Sequence, residues 1–173
     1  MPVITCAERT STIPNAQDAG WASNAAEDQL YYPFVSSCVT VTLVFENGVL
    51  GGHASQITPT NIRQPRANLL GVINRMKSLA PDKQTRGAFH KIYFIGTTDE
   101  AGWDLKNVEK FITTEFGRPA ATAPTYQGYT PVDVVFDTKT RKLLSMDRKG
   151  QEAKGAAQTI ADAEDLELGV RYV

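Results

Sequence analysis

The chain is short of the residues that carry most chemistry: its 173 residues hold two cysteines and two histidines. Two cysteines, Cys6 and Cys38, cannot build a disulfide framework. Cys38 also falls in a strand-like run, where a free thiol and a reducing compartment are the expectation. An excess of either charge is missing too, with 18 basic against 19 acidic residues and a formal charge of -1. That balance gives no footprint for nucleic acid or for an anionic membrane. No segment approaches the ~20 apolar residues of a membrane-spanning helix. The start, Met1 to Arg9, has no apolar run of signal-peptide length, so export would need a machine that reads no such signal, and a cytoplasmic place is the other expectation. There are no internal repeats and no obvious linker. What is present is a chain with 42% hydrophobic residues, long enough to bury a core as one domain.

One cysteine and one histidine fall close together. Val35-Ser36-Ser37-Cys38 leads into Val39-Thr40-Val41-Thr42-Leu43-Val44-Phe45, a β-favouring run, and then Asn47-Gly48 and Val49-Leu50-Gly51-Gly52-His53. Alternation puts Cys38, Thr40, Thr42 and Val44 on one face and the apolar set Val39, Val41, Leu43 and Phe45 on the other, which is expected to be core. Asn-Gly is a strong hairpin signal, because both residues accept the positive φ of a type I′ turn. The second strand is then Val49 to about Ile57, with Phe45 opposite Leu50 and His53 opposite Thr42. Parity places Cys38 and His53 on one face, but four residues of strand leave them roughly 13 Å apart. Three things could close that gap: a bend at Ser36 to Cys38, a bulge at Gly51-Gly52, or a meeting across non-adjacent strands.

The rest of the chain reads as follows. Residues 1–30 are an arm or irregular lead-in with a short helix near Ala25 to Leu30, and residues 31–173 form one domain. Tyr31-Tyr32-Pro33-Phe34 is a strand entry or turn. Leu69, Leu70, Val72, Ile73, Met76 and Leu79 have helical spacing, with Asn68 or a neighbour at the start and Pro81 beyond the end. Phe89 to Ile95 is a buried strand. Asp104 to Phe116 is a helix capped by Asp104 and stopped at Gly117-Arg118-Pro119. Val132 to Phe136 and Lys142 to Met146 are strands joined by a turn at Asp137 to Thr140, and the tail from about residue 149 holds one helix near Ala157 to Leu166. The order β-β-α-β-α-β-β implies an α+β protein: a mixed, largely antiparallel sheet or sandwich with flanking helices.

These motifs carry a resemblance. Val35-Ser36-Ser37-Cys38 with His53 fifteen positions on is similar to the Leu-Ser-Gly-Cys plus histidine signature of the glutamine-deamidating toxins of the cytotoxic necrotizing factor and lethal factor type. From Tyr32 to Asp147 the chain also resembles the CheD chemoreceptor glutamine deamidases. It shares their cysteine strand, Gly-Gly-containing histidine strand, a helix like Asn107 to Phe111, and a closing hairpin like Val134 to Leu144. Three positions depart from those patterns. Ser37 replaces glycine before the cysteine; His53 follows Gly51-Gly52 directly, two residues earlier than in CheD types; and Tyr32 stands where CheD and lethal-factor types carry a histidine-orienting threonine.

The resemblance implies a toxin-type deamidase, delivered as an effector, that converts a glutamine of a target protein to glutamate through a cysteine thioester. A free amine in place of water would give transglutamination. Cys38 would be the nucleophile, His53 the general base, and the Ser37 and Cys38 amides the oxyanion donors, with no metal or organic cofactor needed. The group that orients His53 stays open among Tyr32, Ser36 and a main-chain carbonyl. A CheD-type chemotaxis enzyme, another Cys-His amidase, protease or acyltransferase, and a non-catalytic binding domain of the same fold are the competing readings. Outside this pair the residues read plainly: Cys6 as a free thiol of the arm, and His90 as structural or exposed. Asp137 reads as turn chemistry, and Asp162, Glu164, Asp165 and Glu167 as a solvated acidic face that lacks the pattern of a calcium loop.

Overall fold

The β-branched run at Val39–Phe45 becomes a central strand whose seven side chains are all buried, on both faces. The computed structural model describes residues 2–9, 17–98, 100–120, 126–127, 132–149, 152–153 and 158–162. In chain order the strands are β1 Val3–Thr5, β2 Ala19–Ser23, β3 Gln29–Val35, β4 Val39–Phe45, β5 Gly48–Ala54, β6 Phe89–Gly96, β7 Tyr126–Gln127, β8 Val132–Asp137, β9 Lys142–Lys149, β10 Glu152–Ala153 and β11 Gln158–Asp162. The helices are α1 Pro65–Leu79, α2 Lys83–Arg86 and α3 Leu105–Phe116.

The strands form two mostly antiparallel sheets. One runs β2-β5-β4-β6-β7; the other runs β1-β3-β8-β9-β10, with β11 also on β9. Among the named strands of the described residues, β1 with β3 and β6 with β7 pair in parallel. The apolar face of β4, with Leu50, Ile92 and Phe94, is covered by Leu69, Val72, Ile73 and Met76 of α1 and Val108, Ile112 and Phe116 of α3. Its other face packs against Leu30, Tyr32, Val134, Phe136 and Leu143 of the second sheet, so the more polar side of the strand is interior as well. The fold is thus α+β: two stacked sheets with helices on one side.

The expected helices and strands from Val39 to Met146 are present, with β3 across Tyr31 to Phe34. Helix α1 begins at Pro65, whose fixed φ suits the first turn, and ends at Ala80 because a residue before proline is pushed to extended backbone. Asp104 precedes α3 but does not cap it. It sits in the left-handed region (φ 52°), and its carboxylate instead accepts from Asn107 Nδ2 at 2.8 Å and pairs with Arg66 at 3.3 Å.

Three expectations are corrected. The lead-in is not irregular throughout: β1 and β2 are built into different sheets, and Cys6, Ala7, Ala19 and Ala22 are buried. Short strands of small residues such as Ala19-Gly20-Trp21-Ala22 give no periodic apolar signal, and their stability comes from pairing along sheet edges. Residues Asn24 to Glu27 form a turn, with the Glu27 amide donating to Asn24 O at 3.0 Å, in place of a helix. Near the end, Gln158–Asp162 is a strand on β9 where a helix was expected, a tertiary pairing that overrides alanine's helical preference. Glu164, Asp165 and Glu167 lie outside the described residues. Among the described residues no helix is long and apolar enough to cross a membrane.

The β4–β5 register differs from the Asn-Gly expectation by two residues. Phe45 pairs with Gly48, Thr42 with Gly51 and Thr40 with His53, so Glu46 and Asn47 form the turn. Neither has positive φ. Tertiary bonds select this turn over the type I′ form: Glu46 N donates to Ala88 O at 2.9 Å, Asn47 N to Arg86 O at 3.1 Å, and Asn24 N to Asn47 O at 3.0 Å. Gly48 is needed for space rather than for φ, because a Cβ there would stand 2.5 Å from both Ala22 O and the Trp21 ring.

Candidate active site

The two-residue register change closes the distance that separated Cys38 from His53. His53 lies opposite Thr40, and Cys38 is two residues beyond Thr40 on the same face, so the strand separation halves to roughly 7 Å, within side-chain reach. No bulge forms at Gly51-Gly52, where the ladder is continuous from Val39/Ala54 to Phe45/Gly48. The bend does form. Phe34 adopts φ 57°, held by Asp133, which accepts from the Phe34 amide and from the Tyr31 hydroxyl, each at 2.9 Å. The β3–β8 pairing shifts there, and Ser36 to Cys38 turn over the sheet. Thr97 then fixes the nucleophile's backbone by donating its amide to Cys38 O at 3.0 Å.

Cys38 Sγ stands 2.8 Å from His53 Nε2. His53 Nδ1 lies 3.0 Å from the main-chain carbonyl of Cys6. A carbonyl only accepts, so Nδ1 carries the ring proton and Nε2 presents its lone pair to the thiol. Asp18 secures the histidine strand, its carbonyl accepting from the His53 amide at 2.9 Å. Arg75 of α1 anchors Asp18 in turn, Nε donating to Oδ1 at 2.7 Å beside a second contact through Nη2. Asp18 is buried while the Arg75 side chain is 39% exposed. Arg75→Ala strips a buried carboxylate of its partner and is expected to cost about 2 kcal/mol in urea unfolding, less than a fully buried pair because solvent already screens the guanidinium.

Tyr32 and Ser36 do not reach an imidazole nitrogen. Tyr32 packs its ring edge-on to His53, centroids 6.2 Å apart, and spends its hydroxyl on Thr42 Oγ1 at 2.6 Å and Val41 O at 3.1 Å. Ser36 contributes its amide to Cys38 Sγ at 3.4 Å. Ser37 is exposed, and its carbonyl accepts from Gln56 Nε2 at 2.7 Å. Among the described residues, neither the Ser37 nor the Cys38 amide donates to a backbone carbonyl. His90 stands half-buried at the start of β6, and Asp137 behaves as turn chemistry requires, accepting from Lys139 N at 2.9 Å. Both cysteines are free thiols.

Two contributors carry no readable sequence signal. One is the Cys6 carbonyl, since a backbone atom has no residue signature. The other is Glu8, partly buried, whose carboxylate lies with Cys38 Sγ and a His53 ring nitrogen in a set of donor atoms all within 4.8 Å of one another. Among the described residues, those three side chains are the ones grouped so that they could hold a metal ion. Beside them, a cavity of about 230 Å³ between α1 and the loop after β5 is lined by His53, Arg9, Ser55, Gln64, Asn68 and Arg75, among others.

Both dyad members are only 1% exposed. Burial, and then the Glu8 charge, push the Cys38 thiol far above its ordinary range, while backbone amides pull weakly the other way. Burial lowers the His53 pKa against the opposing pulls of Glu8, the Cys6 carbonyl and Asp18. At rest the pair is thiol and neutral imidazole. A histidine whose pKa is lowered by folding binds its proton better when unfolded, so its contribution to stability is intact above the ordinary imidazole value of 6.5 and is lost as pH falls below it. Cys6, Cys38 and Tyr32 are all shifted upward, so the thiols' contributions decline above their ordinary value of 9.0 and the phenol's above its ordinary value of 10.0. Chelator-treated protein is therefore expected to show its highest melting temperature between these limits and to lose stability on both sides, as scanning calorimetry across pH can show.

No protein-family profile matches the chain, and no curated protein sequence does. Among solved structures, the crystal structure of the Neisseria meningitidis protein NMB0706, of the DUF152 family, is similar to it with a TM-score of 0.45 and 13% sequence identity. The likeness covers 74% of this chain and 63% of that one. The fold and geometry define the protein as a two-sheet α+β chain with a buried cysteine–histidine pair between its sheets.

Proposed function

We propose that the chain is a cysteine-dependent protein-glutamine deamidase of the toxin type, an effector acting on a protein of another cell. The observation that carries this reading is the Cys38 Sγ to His53 Nε2 separation of 2.8 Å, with the opposite ring nitrogen bound to a backbone carbonyl. A histidine oriented by a main-chain carbonyl is what resemblance to the necrotizing-factor type allows, and it removes the need for the threonine that Tyr32 replaces.

The reaction follows from the atoms. A glutamine carboxamide enters along the cavity that ends on His53. Because burial keeps the thiol neutral, its proton passes to Nε2 as Sγ attacks the carbonyl carbon, with no preformed ion pair. The Ser37 and Cys38 amides, which among the described residues have no backbone acceptor, hold the oxyanion, an effect worth ~3 kcal/mol per donor. The imidazolium returns its proton to the amide nitrogen, ammonia leaves, and a thioester remains. His53 then deprotonates water, which cleaves the thioester to glutamate and restores the thiol.

Intact-mass and peptide mass spectrometry on candidate protein targets tests this reading. Wild type should add about 1 Da at a glutamine, the mass change of amide to acid, and Cys38→Ser should add none. Chain cleavage or an acyl adduct in place of that gain would reassign the pair to a protease or an acyltransferase.

A further inference from the structure

A catalytic dyad needs a thiol and an imidazole; it does not need a carboxylate converging on both. Glu8, Cys38 and His53 bring one oxygen, one sulfur and one nitrogen donor within 4.8 Å of one another, two of them fully enclosed and the third partly buried. The supporting shell is that of a metal-ligating histidine: Nδ1–H donates to the Cys6 carbonyl at 3.0 Å, which fixes the ring and leaves Nε2 as a ligand. Tyr32 packs edge-on against the same ring and limits its rotation. We infer that Glu8, Cys38 and His53 form an inhibitory site for a borderline-soft divalent cation, zinc by preference, whose occupancy silences the Cys38 nucleophile.

The donor chemistry selects the ion. Thiolate and imidazole disfavour magnesium and calcium, and three protein ligands of mixed type leave one tetrahedral position for water. Charge closes as well: thiolate and carboxylate contribute two negative charges, the imidazole none, and the cation two positive ones, so a buried site ends neutral. On binding, the Cys38 S–H bond breaks, its proton goes to solvent, and a sulfur–metal bond forms with no change in oxidation state. Zinc–sulfur and zinc–nitrogen bonds of about 2.3 and 2.0 Å at a tetrahedral angle require the sulfur and nitrogen to part to roughly 3.6 Å. That small opening replaces the S–H···N hydrogen bond, and the sulfur lone pair needed for attack is then committed to the metal.

Binding of the ion is independent of the deamidase reading; the silencing rests on it. The binding test is titration of chelator-treated, reduced full-length protein with cobalt(II), followed by the near-ultraviolet thiolate-to-cobalt charge-transfer band, with zinc as competitor and elemental analysis for stoichiometry. One ion per chain is expected, with a band that Cys38→Ser abolishes and Cys6→Ser retains, and with affinity at least about tenfold weaker in Glu8→Gln. Circular dichroism establishes that each variant is folded. Absence of a band in the wild type, loss of it with Cys6→Ser alone, or unchanged affinity in folded Glu8→Gln would overturn the site. With a target that the wild type deamidates in hand, one equivalent of zinc should stop turnover of its glutamine form and chelator should restore it, whereas turnover unaffected by bound zinc would overturn the silencing. A chain that binds the ion yet deamidates nothing in either state retains the site and loses the deamidase reading.

Discussion

Cys38→Ser is expected to lower the rate of glutamine conversion by about 10⁴-fold or more while leaving the fold within about 1 kcal/mol of wild type. The asymmetry follows from what the sulfur does. It makes no disulfide, and its bonds besides the 2.8 Å contact with His53 are a 3.4 Å bond from the Ser36 amide and a weak one to Phe34 O at 3.8 Å, so a hydroxyl in its place forfeits little packing. Catalysis loses the sulfur, which attacks an amide far more readily than a serine oxygen once its proton passes to Nε2. The shorter C–O bond also withdraws the attacking atom from Nε2. His53→Ala should cost a similar factor, and the double variant little more than either single one, because two groups that pass one proton between them act as a unit. Single-turnover rates on a peptide carrying the target glutamine, beside urea unfolding curves, give both quantities. Additive losses in the double variant would mean that the two residues do not work together.

The pairing of Cys38 with His53 was legible because parity is a property of strands: the period of two put both residues on one face whatever the register. Distance was not legible. The Asn-Gly rule ranks turns by local φ preference, whereas this turn is chosen by bonds to Ala88, Arg86 and Asn24, residues distant in sequence. Helices α1 and α3 were readable from their apolar spacing, and β6, β8 and β9 from their composition. The contribution of the first nine residues was hidden for two separate reasons. The Val3–Thr5 strand is too short to show a period, and what the segment brings to the site is a carbonyl and one glutamate, neither with a spacing to a partner that a pattern could catch. The polar face of β4 shows how alternation can mislead. Thr40 and Thr42 make this the more polar side of the strand, yet a second sheet covers it, and their hydroxyls are satisfied by Ile95 O and by Tyr32.

Gly51→Ala is expected to destabilise the protein by about 3 kcal/mol, although it adds a single methyl group. A Cβ at position 51 would fall well inside contact distance of Leu30 Cδ2 and Tyr32 Oη, where the two sheets meet. Neither neighbour can yield freely. Leu30 is fully buried in the inter-sheet core, and the Tyr32 hydroxyl is held by Thr42 and Val41, so withdrawing it leaves buried polar groups unpaired. The alternative is for β5 to move away from the second sheet, which carries His53 with it and lengthens the bond to the Cys6 carbonyl. Activity should therefore fall along with stability, because a catalytic hydrogen bond tolerates far less displacement than a core does. Gly71→Ala provides the contrast: there the nearest atom to a new Cβ is the Arg75 guanidinium at 3.5 Å, and α1 should gain up to about 1 kcal/mol from the better helix former. Urea midpoints measured side by side decide the matter. Equal effects at the two glycines would mean that Gly51 is not where the sheets are in closest contact, and that the approach of Tyr32 to the histidine strand is looser than described.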